Sequence, residues 1–357
     1  MAERSLVDNS LRVIREGQSS TGAFIAAPHF RNYQFSWFRD GAFTAYAMQL
    51  SGEEESARRF HAWAIGVVLD QAAQAELAMA RSRAGLPFLD GSFLRARYPA
   101  NGAAPSDPWP NFQLDGLGSW LWSLRAFESA YPGSLSRITD AVDVVARYLG
   151  ELWSTPCFDC WEESGDQVHV STLAAIHGGL ASAASLLKSS RWAVKADEVR
   201  DFILQRGTVD GRLRKHLHTE LLDASLLWAA TPFRVLEPEH PTMRRTADQI
   251  ERALTGPSGG LRRYLGDTYY GGGEWVLLTA HLGWYWTEVG DLERARRTLS
   301  WVEQAADREG HLAEQLLDHP QFPERIGDWT ASWGPVANPL LWSHAAYLIL
   351  GHALQPS

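Results

Sequence analysis

The sequence predicts an all-α protein, an (α/α)6 barrel in which six inner helices and six outer helices form two concentric rings. Three observations support this architecture. Apolar residues recur with helical spacing about twelve times, whereas the alternation typical of strands is scarce. Every second predicted helix is apolar all round, while the helices between them are amphipathic. The connections that follow the amphipathic helices are also the long ones.

The predicted helices divide into a buried set and a half-exposed set. In chain order they span residues 5–15, 40–50, 54–79, 116–131, 135–153, 171–188, 191–205, 220–229, 241–254, 274–289, 291–306 and 339–354. Helices 171–188 and 274–289 have almost no charged face, whereas 54–79 and 291–306 have a polar face for solvent. We therefore expect the even-numbered helices to form the inner ring and the odd-numbered helices the outer ring.

The connections between helices alternate in length. Short ones follow the even-numbered helices, with 231–240 as a longer exception. Long ones cover residues 16–39, 80–115, 154–170, 206–219, 255–273 and 307–338. In a barrel this alternation brings the long connections to one end, together with the positively polarised N-termini of the inner helices. Loops of this length are usually functional. A superhelical repeat array is the rival architecture, but no repeat of fixed period supports it.

Composition limits the class of protein. With 45% hydrophobic and 21% charged residues and no dividing linker, residues 1–357 are expected to form one globular domain. The net charge of −9 without a basic run argues against a nucleic-acid partner. No apolar run approaches the roughly 18 residues of a membrane helix. Residues 1–8 lack the apolar core of a signal peptide. We expect a cytoplasmic protein without a membrane partner.

The two cysteines, Cys157 and Cys160, form a C-x-x-C motif. A zinc site needs a second pair of ligands, and a redox motif is expected beside a βαβ pattern. The sequence shows neither, so we expect two reduced thiols, no metal and no cofactor; whether the thiols pair stays open. His216 and His218, in the fourth long connection, are interpreted as structural or as part of a rim.

Five of the six long connections combine aromatic residues with carboxylates or arginine. In order they contain Tyr33, Trp37, Arg39 and Asp40; Trp109 and Asp115; Asp159, Trp161, Glu162 and Glu163; Arg263, Asp267, Tyr269 and the following Trp275; and Glu314 with Gln315. Asp40 and Asp115 could each be a helix N-cap, the commonest role of Asp at a helix start. Alternatively, Arg39 and Asp40 could bind the neighbouring hydroxyl groups of a sugar, one as donor and one as acceptor.

Together these clusters describe an acidic, aromatic pocket. The sixteen tryptophans favour stacking against sugar rings, although an aromatic-filled helical core is the alternative. Two carboxylates among aromatic and hydrogen-bonding residues, without a metal or cofactor motif, predict glycoside hydrolysis.

The same motifs resemble those of the glucoamylase-like glycoside hydrolases, family 15. The stretches 37–40, 109–116, 159–163, 263–270 and 314–315 are similar, in order, to that family's Trp-x-Arg-Asp, Trp-x-x-x-Gln-x-Asp-Gly, Asp-x-Trp-Glu-Glu, Arg-Tyr-x-x-Asp-Thr-Tyr-Tyr and Glu-Gln. The motifs occur in the family's order and span roughly residues 30–350. The sequence departs from the family at Ala313, where members often have Gly or Pro.

The resemblance implies an inverting, exo-acting α-glucoside hydrolase with an (α/α)6 barrel. It implies that Glu162 is the general acid and Glu314 the general base. The substrate-binding residues that it implies are Tyr33, Trp37, Arg39, Asp40, Trp109, Trp161, Glu163, Arg263, Tyr269 and Trp275. Among these, Arg39 and Asp40 would hold the non-reducing-end glucose.

The expected substrate is a short α-glucoside of the α-1,6-linked isomaltose type. The chain lacks the β-sandwich domain and the starch-binding domain of many relatives, which argues against polymeric starch. An α-1,4-preferring glucoamylase and a trehalase stay open within the family. From other classes, a non-catalytic sugar-binding barrel and a phosphorolytic enzyme are the alternatives, and intact Glu162 and Glu314 argue against the first. The number of sugar subsites and the oligomeric state stay open.

Overall fold

The computed structural model describes residues 5–105 and 107–355. The α-helices are α1 Leu6–Gly17, α2 Phe38–Leu50, α3 Glu54–Asp70, α4 Ala72–Arg83, α5 Asp115–Ala130, α6 Ile138–Leu152, α7 Val170–Leu186, α8 Ser190–Arg206, α9 Pro241–Leu254, α10 Val276–Val289, α11 Leu292–Gln304, α12 Ile326–Trp333 and α13 Leu341–Ala353. Residues 1–4, on which the expectation about a signal peptide partly rests, lie outside the described ranges.

Short elements connect the helices. Two-residue strands form three antiparallel pairs: β1 Ser36–Trp37 with β2 Arg97–Tyr98, β3 Thr208–Val209 with β4 Arg212–Leu213, and β5 Glu274–Trp275 with β6 Gln315–Leu316. Four segments are 3-10 helices: Arg31–Tyr33, Ala224–Ala229, Tyr269–Gly271 and Pro323–Arg325. The strands β1, β2, β5 and β6 tie together long connections that are far apart in the sequence.

The predicted two-ring barrel is confirmed. The inner ring runs from α2 through α5, α7, the 3-10 helix Ala224–Ala229, α10 and α13, which packs back on α2 and closes the ring. The helices α1, α3, α6, α8, α9 and α11 pack against its outer side. The inner helices α7 and α10 are buried along most of their length, because neither has a continuous polar face to present to water.

Two glycines allow the inner helices α5 and α7 to approach each other closely. A Cβ atom on Gly118 would lie 2.2 Å from the backbone oxygen of Ala175, and one on Gly179 would lie 2.6 Å from the Cα of Gly118. Those distances are shorter than van der Waals contact. The two helix backbones therefore touch directly, and larger side chains at either glycine would push this part of the ring apart.

Ten of the twelve predicted helices agree with the structure to within three residues at each end. The predicted helix 54–79 is wrong as one element, because the backbone breaks at Gln71 between α3 and α4. The predicted α-helix 220–229 is also wrong. There the backbone is extended at Asp223, and the side chain of Asp223 accepts a hydrogen bond from the Ser225 amide at 2.9 Å, which starts the 3-10 helix Ala224–Ala229.

One helix was not predicted. α12 lies within the sixth long connection and buries none of its residues fully. Among residues 5–105 and 107–355, no helix combines the length and apolar character required to cross a membrane.

The outer helix α3 buries a histidine in apolar surroundings. Within the described ranges, neither ring nitrogen of His61 has a hydrogen-bond partner, and the ring packs against those of Phe60 and Phe127. Burial lowers the pKa of His61 from 6.5 to about 3. Since the unfolded chain binds this proton more readily, His61 costs stability as the pH falls from 6.5 towards 3.

We expect His61→Leu to raise the free energy of unfolding by about 1 kcal/mol at pH 7.5, because two unpaired polar atoms are removed. The gain should reach about 3 kcal/mol at pH 5, since a pKa difference costs roughly 1.4 kcal/mol for each pH unit below the unfolded pKa. Urea unfolding of both proteins at the two pH values measures this. An equal gain at pH 7.5 and pH 5 would contradict a buried, neutral His61.

Candidate active site

All twelve predicted site residues line one pocket of about 400 Å³. That volume is within the usual range for small-molecule sites. Five of the six long connections contribute to the lining, which includes residues just before or at the start of α2, α10 and α13. Among the described residues, the fourth connection contributes none. The pocket thus lies at the end of the barrel that receives N-termini of inner helices.

A tight turn in the third connection presents Glu162. The carboxylate of Asp159 accepts hydrogen bonds from the amides of Trp161 and Glu163, each at 2.9 Å. The Glu162 amide in turn donates to the Asp159 carbonyl at 2.9 Å. Glu162 itself has a φ of 69°. This left-handed conformation is uncommon for a residue with a side chain and is typical of functional turns.

Three donors converge on one oxygen of the Glu162 carboxyl. The indole N–H groups of Trp37 and Trp109 both reach Oε1 at 2.8 Å, and the side-chain amide of Gln113 reaches it at 3.2 Å. Because Oε1 accepts all three bonds, a proton on the neutral carboxyl belongs on Oε2. A carboxyl held in this way can donate its proton in one direction.

The carboxyl group of Glu314 has fewer hydrogen-bond partners than that of Glu162. Tyr33 donates a hydrogen bond to Oε1 at 3.0 Å, and the hydroxyls of Tyr33 and Tyr269 lie 2.7 Å apart. Since Tyr33 has a single hydroxyl hydrogen, Tyr269 is the donor in the second bond. Within the described ranges, the buried Oε2 has no partner. It is therefore the oxygen available to accept a proton.

The electrostatic environment of Glu314 is dominated by its burial. Burial raises the pKa of Glu314 to about 7, although the hydrogen bond from Tyr33 and the charge of Arg263 act to lower it. Burial likewise raises the pKa of Asp40 to about 6, against the lowering effect of Arg39. Burial thus raises the pKa of both carboxyls towards neutral pH.

The structure does not support the N-cap interpretation of Asp40. The N-cap of α2 is Trp37, and Asp40 lies in the first turn without a capping bond from its side chain. Its Oδ2 lies 3.5 Å from Nε of Arg39. The Arg39 guanidinium is held from behind by Asp115 and Gln113, each at 2.9 Å. Asp115, the first residue of α5, therefore binds Arg39 instead of capping its helix.

A second arginine organises the opposite side of the pocket. Arg263 forms a two-point ion pair with Asp267 and lies 3.2 Å from Glu163. Glu163 also accepts a hydrogen bond from the hydroxyl of Tyr264. The guanidinium carbon of Arg263 is 5.2 Å from the ring centroid of Trp275. This wall is held by charged hydrogen bonds and leaves Glu163 partly exposed.

The sequence interpretation missed two residues of the aromatic wall, Trp329 and Trp333 of α12, which line the pocket together with Trp342 of α13. The ring of Trp333 lies 5.7 Å from that of Trp109, and the Trp329 indole donates to the Thr268 carbonyl at 2.8 Å. The spacing of four residues between Trp329 and Trp333 places both on one helix face. That spacing was the available signal.

Two residues between α8 and the 3-10 helix Ala224–Ala229 support the site from behind. The indole of Trp161 donates to both carboxylate oxygens of Asp223, at 3.0 and 3.1 Å. Lys215 lies 2.9 Å from Asp223, 3.4 Å from Asp159 and 3.8 Å from Glu163. No sequence signal distinguished Lys215 or Asp223, because neither lies beside an aromatic motif.

Cys157 and Cys160 are free, buried thiols, and Cys160 lines the pocket. Burial raises the pKa of both thiols, which keeps them in the unreactive protonated form. Among the described residues, no group of three or more His, Cys, Asp or Glu side chains is placed to hold a metal ion.

The chain is similar to known glycosidases. The family model of glycosyl hydrolases family 15 matches residues 1–332. The isomaltose glucohydrolase of Kribbella flavida is 39% identical, over 98% of this chain and 92% of that protein. A glycosidase with a glutamate replaced by alanine, solved in complex with glucose, has a TM-score of 0.92 at 39% identity and covers 98% of this chain and 96% of its own.

A more distant structure shares the fold. A bacterial glucoamylase complexed with acarbose has a TM-score of 0.75 at 20% identity, over 98% of this chain and 55% of its own. The pocket, the order of its motifs and these similarities lead to one conclusion. The chain belongs to the glycosyl hydrolases family 15.

Proposed function

We propose that this protein is an inverting, exo-acting α-glucoside hydrolase that releases β-glucose from the non-reducing end of short α-glucosides. One observation carries the proposal. Within the described ranges, five buried polar atoms of the pocket residues lack hydrogen-bond partners: Nε of Arg39, Oδ2 of Asp40, Oε2 of Glu314 and the indole nitrogens of Trp275 and Trp342. A buried polar atom without a partner costs about 1–3 kcal/mol until water or a ligand satisfies it. A sugar ring supplies several hydroxyl groups for this purpose.

The packing of the barrel supports exo action. Below the pocket, the ring of Phe43 lies 5.3 Å from that of Trp342 and 5.1 Å from that of His281. The ring of Trp228 lies 5.8 Å from that of Trp342. Aromatic side chains therefore fill the barrel interior, and the pocket is blind at its inner end. A sugar chain can enter such a pocket only by its terminal residue.

The chemistry follows from the two carboxyl groups. Glu162 donates the proton on Oε2 to the glycosidic oxygen as the bond from that oxygen to the anomeric carbon breaks. Glu314 takes a proton from a water molecule, whose oxygen attacks the anomeric carbon from the opposite face. Attack from that face converts an α-glucoside into β-glucose. We expect the two carboxyl groups to stand roughly 6.5–9.5 Å apart, which leaves room for the water.

We propose the remaining roles from the contacts described above. Arg39 and Asp40 bind hydroxyl groups of the terminal glucose at the base of the pocket. Tyr33 orients Glu314 and favours its ionised form. Glu163 and Arg263 contact the leaving sugar. Trp37, Trp109, Trp161, Tyr269 and Trp275 form the aromatic walls.

We propose an α-1,6-linked substrate of the isomaltose type. The identity of 39% to an isomaltose glucohydrolase supports this linkage, and a pocket of about 400 Å³ suits a short sugar. We also propose a cytoplasmic location and a single domain spanning residues 1–357. A continuous apolar cluster with members from both rings supports the single domain.

The proposed function is tested by following hydrolysis of isomaltose, maltose and trehalose with proton NMR. We expect β-glucose as the first product, and a higher kcat/KM for isomaltose than for maltose. If α-glucose forms first, the inverting mechanism is wrong. A faster reaction with maltose or trehalose would replace the proposed linkage. Binding without turnover would indicate a sugar-binding barrel, and a requirement for phosphate would indicate phosphorolysis.

A further inference from the structure

A buried arginine lies behind the two tryptophans that bind Glu162. Arg97 belongs to β2 and pairs directly with Trp37 of β1, and its side chain is 1% exposed. Its guanidinium carbon lies 3.6 Å from the ring centroid of Trp109, 4.0 Å from that of Phe35 and 5.2 Å from that of Trp37. Cations at these distances from aromatic rings interact favourably with them.

The guanidinium of Arg97 is fixed in place. One of its nitrogens donates to the backbone oxygen of Asn32 at 2.8 Å, and another forms an ion pair with Asp107. Asp107 is partly exposed, whereas Arg97 is not. Arg97 therefore presents a rigid, planar cation to the rings that surround it.

The two indole rings require such support. The rings of Trp37 and Trp109 meet edge to face, with centroids 6.0 Å apart and planes inclined by 72°. From these different directions, both N–H groups reach the same oxygen of Glu162 at 2.8 Å. Rotation of either ring would break one of the two bonds, and Arg97 contacts both rings.

We propose that Arg97 is a positioning residue of the catalytic acid. It holds Trp37 and Trp109 so that both indoles bind Oε1 of Glu162 and the acidic proton stays on Oε2. This inference rests on the proposed role of Glu162 as general acid. Arg97 is not among the residues that line the pocket, so it acts on the reaction through the rings of Trp37 and Trp109 and through its charge.

The charge of Arg97 has a separate, measurable effect. The titratable groups that interact electrostatically with Glu162 include Arg39 and Asp40 from α2, Tyr33 from the first connection, and Arg97. Removal of the Arg97 cation leaves the Glu162 carboxylate less stabilised. Because Arg97 and Glu162 interact electrostatically, we expect the alkaline limb of the measured kcat/KM profile to move upward when the cation is removed.

The test compares Arg97→Met with a matched control. We expect Arg97→Met to lower kcat for isomaltose by about 10- to 100-fold, comparable with the loss of a residue that orients a metal ligand in a catalytic site. Activity with an activated aryl α-glucoside, whose leaving group needs no proton, should fall much less. The alkaline limb should shift upward. Arg97→Lys should restore the position of the limb without fully restoring kcat, because an ammonium lacks the planar stacking surface.

Arg95→Met is the control. Arg95 precedes β2, is also buried, and pairs with the exposed Asp90 at 2.8 Å. We expect this variant to leave the ratio of the two activities and the alkaline limb unchanged.

Equal losses with both substrates in Arg97→Met, or an unmoved alkaline limb in that variant, would overturn the proposal. If Arg97→Met does not fold, Arg97→Lys alone provides the test. Full kcat in Arg97→Lys would then overturn the proposal. A reduced kcat in Arg97→Lys, with the alkaline limb at its wild-type position, would support the proposal. Failure of the proposed function is distinguishable, because Glu162→Gln would then show no dependence on the leaving group.

Discussion

Glu162→Gln is expected to lower kcat for isomaltose by about 10²- to 10⁴-fold, the usual contribution of a general acid. A glutamine side chain can keep the hydrogen bonds at Oε1 but has no acidic proton to give. With an activated aryl α-glucoside the loss should be far smaller, because that leaving group departs as a stable anion. Steady-state kinetics with both substrates measures the difference.

Glu163→Gln is the matched control for this prediction. Glu163 is the next residue in the chain, lines the same pocket and bonds to Arg263 and Tyr264. Its replacement should weaken substrate binding without changing the ratio of the two activities. If Glu162→Gln reduced both activities equally, Glu162 would not be the acid.

The barrel could be predicted because the composition of each helix indicates how far that helix is buried. α7 contains no Asp, Glu, Lys or Arg, and α11 has a polar face. Such patterns can be recognised in the sequence without knowledge of the tertiary contacts. The signal left by α12 is weak, because only its two tryptophans, four residues apart, line the pocket. A surface helix of this kind is recognisable only when its partner is known.

The residues of the candidate site could be predicted from the sequence, but the contacts between them could not. Trp37 and Trp109 come from different connections, and their meeting at Glu162 depends on the pairing of β1 with β2. Strands of two residues leave no alternating pattern in a sequence. The role of Asp40 was ambiguous for a similar reason. α2 begins two residues earlier than predicted, and this shift moves Asp40 from a capping position into the first turn.

Glu314→Gln is expected to lower kcat by about 10²- to 10⁴-fold with isomaltose and with the activated aryl glucoside alike, because both reactions need an activated water. This equal loss contrasts with the selective loss expected for Glu162→Gln. Measurable turnover of the aryl glucoside by Glu314→Gln at the wild-type rate would exclude Glu314 as the base.

The pH profile provides an independent test of the same assignment. Glu314 must be ionised to accept a proton, and burial raises its pKa to about 7, so kcat/KM should fall as the pH drops below about 7. The hydrogen bond from Tyr33 favours the ionised form, and Tyr33→Phe should therefore move this acidic limb to higher pH. Tyr270→Phe is the control, since the Tyr270 hydroxyl donates to the Gly334 carbonyl and not to Glu314. If the acidic limb of the kcat/KM profile stays in place in Tyr33→Phe, or moves equally in both variants, a group other than Glu314 determines its position.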